Sequence, residues 1–302
     1  MDQSLCPYLA KPLAEIAPVN EEHVLPVAIG APSRFFVKAA ESENSRFNTL
    51  IDAPFSNEPL VRFLAMSQGV NSRSGPVVAK IPATLLSSGE LVNVAFSKAG
   101  FDLKFANPIK KDAETGFVAG VLGFGDEAMK HALKVQRDYA KKNIHVNLGD
   151  VVTEHKPLLH VSLSLDNSVV WRELLKIAYL MTVWSFGDKA IDSRSGTEYR
   201  RGLNASRSQF IQIRHTTDDI PGITTKGKAD SHSLMCVILG KELITSVKLF
   251  GGFAATFITE AEGVGVEGDG LHIQINAATK NLTETPVLEA LMNNVRLHFE
   301  EL

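Results

Sequence analysis

Two adjacent residues near the N-terminus, Glu22 and His23, place a carboxylate beside an imidazole, groups that serve as metal ligand and as general base. Further along the chain, Asn44, Asn48 and Asp52 follow one another at intervals of four residues. In an α-helix, residues four apart lie on one face, so this spacing would direct three oxygen donors toward Glu22 and His23. Oxygen donors suit a hard divalent cation. The pattern therefore predicts a strand–turn–strand–helix unit with a small polar pocket for a metal.

The same residues also have a simpler interpretation. A polar face on a short helix is usually a solvated surface, with the opposite apolar side docked on the core. His23 precedes the apolar residues Val24 and Leu25, and this position also fits a partly buried histidine with a satisfied hydrogen bond. Spacing alone leaves both interpretations open.

The order of residues in this stretch resembles a known family. Glu-Glu-His-Val-Leu-Pro at 21–26, a later glycine, and Glu-Asn-Ser-Arg-Phe-Asn-x-x-Ile-Asp at 43–52 are similar to the core of HNH endonucleases. These enzymes belong to the His-Me finger group, and the match is to a bacterial subgroup. The similarity is strong over 20–75, including the continuation at 57–75, and looser at 174–187.

The resemblance implies a metal-dependent endonuclease that hydrolyses phosphodiester bonds in DNA, and by analogy a role in bacterial defence against foreign DNA. His23 would be the general base that activates water, Glu22 a catalytic metal ligand, and Asn44 a further catalytic residue on the metal side. Asn48 and Asp52 are additional candidate ligands. Mg²⁺ is the expected cation and Mn²⁺ the alternative, because the ligands are mainly oxygens.

The chain departs from the family pattern at the positions that bind structural zinc in many relatives. Cys6 is the only cysteine of the first Cys-x-x-Cys pair, and Ala40 and Glu43 stand at the positions of the second pair. One thiolate cannot form a tetrahedral zinc site, so no structural zinc is expected and packing must hold this region. Phe35 and Phe36 lie where many relatives carry an Asn that orients the histidine. These departures favour the alternative, a catalytically inactive module that binds nucleic acid or protein.

The composition is that of an ordinary globular protein. The chain has 302 residues, 44% of them hydrophobic, and a formal net charge of −3, so the overall charge does not indicate a nucleic-acid binder. The two cysteines are far apart in sequence, which favours a reducing compartment. Because the N-terminus lacks a signal-peptide pattern and the most apolar segment, 169–186, carries charges near its start, a soluble cytoplasmic protein is expected.

The pattern of apolar runs and turns predicts an α+β fold. A ββα-metal nuclease module at 1–78 is expected to lead into a strand-rich middle region with a helix at 79–147. A mixed, strand-rich C-terminal α+β domain at 148–302 would follow, built round a central helix over 169–186.

A group of arginines around Tyr199 is the predicted phosphate-contacting patch, since guanidinium groups match phosphate oxygens. They are Arg194, Arg200, Arg201 and Arg207. The alternative is an exposed loop whose arginines form salt bridges with local acids. DNA is therefore the expected partner, while a homo-oligomer, or a scaffold that binds a protein through its apolar C-terminal domain, remains open.

Overall fold

The structure is a computed structural model, and it divides the chain into two compact units. The first contains Met1–Val77 together with Leu165–Leu302, and the second contains Val78–Ser164. The residues that the structure describes are 3–72, 75–146, 149–153, 157–205, 213–217, 220 and 228–300, with 294–300 described by their backbone alone.

The chain forms helices and antiparallel strands throughout the described ranges. The strands are β1 (Val19–His23), β2 (Phe36–Ala40), β3 (Asn71–Ser72), β4 (Gly75–Pro76), β5 (Ala79–Leu85), β6 (Leu91–Ser97), β7 (Gly100–Phe105), β8 (Ile109–Lys111), β9 (Val118–Val121), β10 (Leu159–Val161), β11 (Arg214–Thr216), β12 (Ser231–Leu239), β13 (Glu242–Leu249), β14 (Phe253–Glu260), β15 (Gly270–Asn276) and β16 (Leu282–Pro286). The helices are α1 (Glu41–Phe47), α2 (Ala53–Asn57), α3 (Pro59–Ser67), α4 (Glu127–Ala140), α5 (Asn167–Phe186), α6 (Asp188–Asp192), α7 (Arg194–Asn204) and α8 (Val287–Glu300).

The first unit combines an N-terminal hairpin and helices with a large sheet. β1 and β2 pair antiparallel, and α1 follows β2 directly. The six-stranded antiparallel sheet has the order β11-β14-β13-β12-β15-β16, and α5 packs against its central strands. α5 is apolar on most of its surface and buried along most of its length, which is why it occupies the centre of this unit. Its N-terminus is capped by Asp166, whose side chain accepts a hydrogen bond from Ser168 N at 2.9 Å.

The second unit is a smaller sheet with one apolar face. Its four strands have the order β10-β5-β6-β7, and β8 and β9 form a separate hairpin. A core cluster lies on one face of this sheet, because side chains alternate between the faces along each strand. The buried members of the cluster are Ala83, Leu85, Val92 and Val94.

The α+β class predicted from the sequence is confirmed by this mixture of helices and antiparallel sheets. The expected boundary at 78 lies at the junction between the two units, whereas the one at 147 falls inside the second unit. Residues 1–77 share a unit with the C-terminal part of the chain. Within the described residues, no helix combines the length and the apolar composition needed to cross a bilayer.

The arginine-rich segment around Tyr199, for which an exposed loop was the alternative to a phosphate patch, is helical over most of its described length. α7 begins after Ser193, whose side chain accepts a hydrogen bond from Gly196 N at 3.0 Å. Serine is a strong N-cap residue, and here it caps the start of a helix. The charge-rich sequence of this segment did not indicate that helix. Arg194–Asn204 is therefore a helix and not the exposed loop of that alternative interpretation.

The N-terminal segment is attached to the large sheet by contacts around Gly30. The imidazole of His232 on β12 binds the carbonyl of Ile29 through Nε2 at 2.8 Å, while its Nδ1 accepts from Phe250 N at 3.4 Å. Burial lowers the pKa of His232 to about 4, so the ring is neutral and donates one proton. Gly30 has φ +102, and a Cβ at this position would lie 2.3 Å from the carbonyl oxygen of Ala277.

We expect Gly30→Ala to destabilise the first unit by at least about 3 kcal/mol. The new Cβ would clash with the backbone of Ala277, and alanine would be strained at the positive φ of this position. Gly263→Ala is the matched control, since Gly263 also has a positive φ, +77, but open space around its Cβ position. The control should lose only about 1 kcal/mol. Urea unfolding of both variants measures the difference, and equal losses would contradict the close approach at Ala277.

Candidate functional site

β1 holds Glu22 and His23 on opposite faces, because successive side chains alternate along a strand. Glu22 points inward and is only 2% exposed, whereas His23 is half-buried. The ring of His23 lies edge-on to that of its cross-strand neighbour Phe36, with 6.3 Å between the centroids. The hydroxyl of Tyr8 donates to Glu22 Oε1 at 3.0 Å. The carboxylate and the imidazole that are adjacent in sequence thus face different surroundings.

The carboxylate of Glu22 meets an ammonium group that comes from α5. Lys176 is 1% exposed, and its Nζ forms a close ion pair with Glu22 Oε1. The same Nζ donates to Asp52 Oδ1 at 2.6 Å and to Asp52 Oδ2 at 2.7 Å. Glu173 precedes Lys176 by three residues on α5, is fully buried, and lies close enough to interact electrostatically with both Asp52 and Lys176. These four residues, with Tyr8, are called the ion-pair cluster below.

The charges within the ion-pair cluster follow from burial and from the ammonium group. Burial alone would lower the pKa of Lys176, but the carboxylates of Asp52 and Glu22 outweigh it and raise that pKa above its ordinary value. Burial raises the pKa of Glu22 in spite of Lys176, because one ammonium is shared between two carboxylates. Burial, and then the charge of Asp52, raise the pKa of Glu173 well above its ordinary value. The surroundings of Glu173 therefore favour its neutral form within the cluster.

The resemblance implies a divalent cation, and the donors of the ion-pair cluster do not fit one. A hard cation needs ionised carboxylates that are free to coordinate it. Here the carboxylates of Glu22 and Asp52 hold an ammonium group, and the raised pKa of Glu173 disfavours its ionised form. The positive charge of Lys176 would repel a second cation. Among the described residues, no group of three or more His, Cys, Asp or Glu side chains is arranged to hold a metal.

The expected polar helix face is interrupted by a π-helical turn at Asn48–Asp52. A π turn closes its hydrogen bonds over five residues, so side chains four apart no longer stack on one face. The Asn44 amide donates to Asn20 Oδ1 at 2.8 Å and to Glu21 O at 3.0 Å, which ties α1 to β1. Asn48 is exposed, whereas Asp52 points toward Lys176. The structure therefore brings Glu22 and Asp52 together around Lys176 and directs the two asparagines elsewhere.

The arginines of the predicted phosphate patch are engaged within the protein. Arg194 forms ion pairs with Glu260 at 2.8 Å and with Glu198 at 3.4 Å. Arg200 donates to Tyr179 Oη at 3.0 Å and to the carbonyl of Ile191 at 2.7 Å. In the same region, the side chain of Arg201 is exposed and Arg207 lies outside the described residues. Of the three arginines that the structure describes, Arg194 and Arg200 are thus bound to groups of the protein itself, while Arg201 is exposed.

Sequence reasoning missed Lys176, Glu173 and Tyr8 as members of the site. A signal was present, because Glu173 and Lys176 are charged residues three positions apart within the most apolar segment of the chain. Charges buried in an apolar helix require partners of opposite charge or neutralisation. The spacing could indicate that partners exist, but not that Glu22 and Asp52 would supply them.

Comparison of the chain with protein-family models, curated proteins and solved structures gives no match. The similarity to HNH endonucleases therefore rests on the motif residues alone.

We expect Lys176→Met to lower the free energy of unfolding by about 3–5 kcal/mol, because it leaves the buried carboxylates of Glu22 and Asp52 without a counter-charge. Lys189→Met is the control, since Lys189 is exposed on α6 and should change stability by less than about 0.5 kcal/mol. Chemical denaturation of both variants measures the effect. Similar stabilities for the two variants would show that the ammonium of Lys176 does not hold the cluster.

Glu173→Gln should change the pH dependence of stability. The pKa of Glu173 is raised in the folded protein above its ordinary value of about 4.5, so the folded state holds the proton more tightly than the unfolded chain and the wild type loses stability as the pH rises above that value. The glutamine cannot ionise, and we expect its stability relative to wild type to increase by up to about 1.4 kcal/mol per pH unit above that pH. Unfolding curves between about pH 5 and about pH 7 test this. Glu289→Gln, at an exposed position, should show no such trend.

Proposed function

We propose that this protein is a non-catalytic relative of the His-Me finger endonucleases and works as a protein-binding module. The observation that carries this proposal is the position of Lys176 Nζ between the carboxylates of Glu22 and Asp52. In this interpretation, an internal ammonium group takes the place that the catalytic cation has in active relatives. The positive charge is then permanent, and the unit keeps its fold without binding a metal.

Two contacts near the N-terminus support the kinship. Cys6 Sγ accepts a hydrogen bond from Ala40 N at 3.4 Å, so the remaining cysteine lies beside the position of the missing second pair. The ring of Tyr8 packs on that of Phe47 on α1, with 4.3 Å between the centroids. Packing of this kind can replace the structural zinc that links the same two segments in relatives.

The engagement of the arginines favours a protein partner over DNA. A protein that binds DNA through phosphates needs several free cationic side chains on one surface. The guanidinium groups of Arg194 and Arg200 already bind internal partners. We therefore expect little salt-dependent affinity for duplex DNA near this helix.

An active nuclease is the second candidate, and the connectivity of the first unit favours it. β1, β2 and α1 follow one another in the strand–strand–helix order of the family, with His23 at the end of β1. The hydrogen bonds of Asn44 to Asn20 and Glu21 also keep α1 close to the strand that carries His23. For cleavage, Glu22 would have to release Lys176 and become available to a cation.

The response to metal distinguishes the two candidates. We expect Mg²⁺ and Mn²⁺ to leave the melting temperature of the wild type unchanged, because Lys176 occupies the carboxylates. Lys176→Met vacates that position, so Mn²⁺ should raise its melting temperature, and EDTA should reverse the change. Lys189→Met serves as the matched control and should behave like the wild type.

A plasmid-nicking assay completes the test. The proposal expects no cleavage by the wild type or by His23→Ala with either metal. Metal-dependent cleavage by the wild type that is lost in His23→Ala would overturn the proposal and establish the nuclease.

A further inference from the structure

β7 is the edge strand of the sheet in the second unit. In the described residues, it pairs with β6 on one side and has no strand on the other. Val92 lies opposite Phe105, and Ala106 N donates to Leu91 O at 2.9 Å. Hydrogen-bonded pairs alternate along an antiparallel ladder, so the backbone groups of Lys104, Asp102 and Gly100 point to β6. Those of Phe101, Leu103 and Phe105 consequently point to the open edge, where their N–H and C=O groups can pair with another strand.

The side chains of β7 divide into an apolar face and a charged face. Phe101, Leu103 and Phe105 share the face that carries Val92 and Val94, and Phe101 is 67% exposed. Asp102 and Lys104 lie on the opposite face, largely exposed, with 3.2 Å between their charged groups. The strand thus offers a free backbone edge, an apolar row and one charge of each sign.

We propose that β7 pairs antiparallel with β7 of a second copy of this chain, about a two-fold axis at Leu103. Leu103 then lies opposite itself, and Phe101 lies opposite Phe105 of the second copy. These are the residues whose backbone groups point outward, so the strands can form about six hydrogen bonds. The proposal concerns the second unit and is independent of the proposed function of the first.

Charge complementarity selects the second copy as the occupant of this edge. In the register centred on Leu103, Asp102 lies opposite Lys104 of the second copy, and Lys104 lies opposite its Asp102. Both pairs occupy non-hydrogen-bonded positions, where opposing side chains come closest. A register centred on Asp102 or on Lys104 would instead place like charges opposite each other. Edge charges of one sign keep sheets apart, but this arrangement of two opposite signs is self-complementary.

The interface is short compared with a standard protein interface, so the dimer should be weak and dependent on concentration. Sedimentation velocity of the full chain, from low to high micromolar concentration, should show a monomer–dimer equilibrium. Asp102→Lys alone, or Lys104→Asp alone, makes both cross-strand pairs repulsive and should raise the dissociation constant about tenfold or more.

The double variant Asp102→Lys/Lys104→Asp restores opposite charges in each pair, so its dissociation constant should return to within about threefold of the wild type. An equimolar mixture of the two single variants should likewise form a heterodimer, because one chain is basic and the other acidic at β7. If β7 instead bound an extended peptide from an unrelated partner, the double variant and the mixture of single variants would not restore binding.

Lys141→Asp provides the control for a general charge effect. Lys141 forms a comparable exposed ion pair with Asp138 on α4 at 3.3 Å, in the same unit, and its reversal should leave the equilibrium unchanged. Far-UV circular dichroism verifies that each variant is folded. A wild type that stays monomeric throughout, or a dimer whose affinity survives the single reversals, would overturn the proposal.

Discussion

Lys176, on an apolar helix, binds through its ammonium group to two carboxylates that are distant in the sequence. Asp52 is 124 residues from Lys176, and Glu22 is in the first strand of the chain. A buried ammonium group is costly unless opposite charges and hydrogen bonds surround it. The position of α5, the inward direction of Glu22 and the course of the helical turn at Asn48–Asp52 therefore depend on one another. Such a cluster specifies which segments meet more strongly than it adds to net stability.

Helices and strands that depend on local sequence patterns could be predicted from the sequence. The apolar run over 169–186 indicates a central helix, and α5 occupies Asn167–Phe186. The alternation of apolar residues likewise indicates strands in the middle region, where β5, β6 and β7 lie. α7 was missed because its arginine-rich sequence resembles an exposed loop, whereas the cap formed by Ser193 begins a helix. The N-cap hydrogen bond of Ser193 stabilises the start of this helix, and composition does not display it.

Only some residues of the candidate site could be predicted from the sequence. The sequence suggested Glu22 and Asp52 as ligands of a cation, and the structure shows both carboxylates bound to Lys176. Two causes lie outside any spacing argument. The π-helical turn changes the direction of the side chains after Phe47, and the ammonium group comes from a helix in the other half of the sequence. Charged residues in an apolar helix indicate that oppositely charged partners are needed. Only the tertiary structure identifies those partners.

An ammonium group and a metal ion can hold the same carboxylates, but they couple folding to different conditions. A bound cation contributes folding free energy only when it is present at sufficient concentration, and it leaves when its ligands are protonated. The ammonium of Lys176 is part of the chain, and the surrounding carboxylates raise its pKa, which favours the charged form in the folded protein. Carboxylates that hold an ammonium group do not offer the open coordination positions that metal-assisted hydrolysis requires. Under the proposed function, the first unit would thus depend on a charge centre that needs no metal supply.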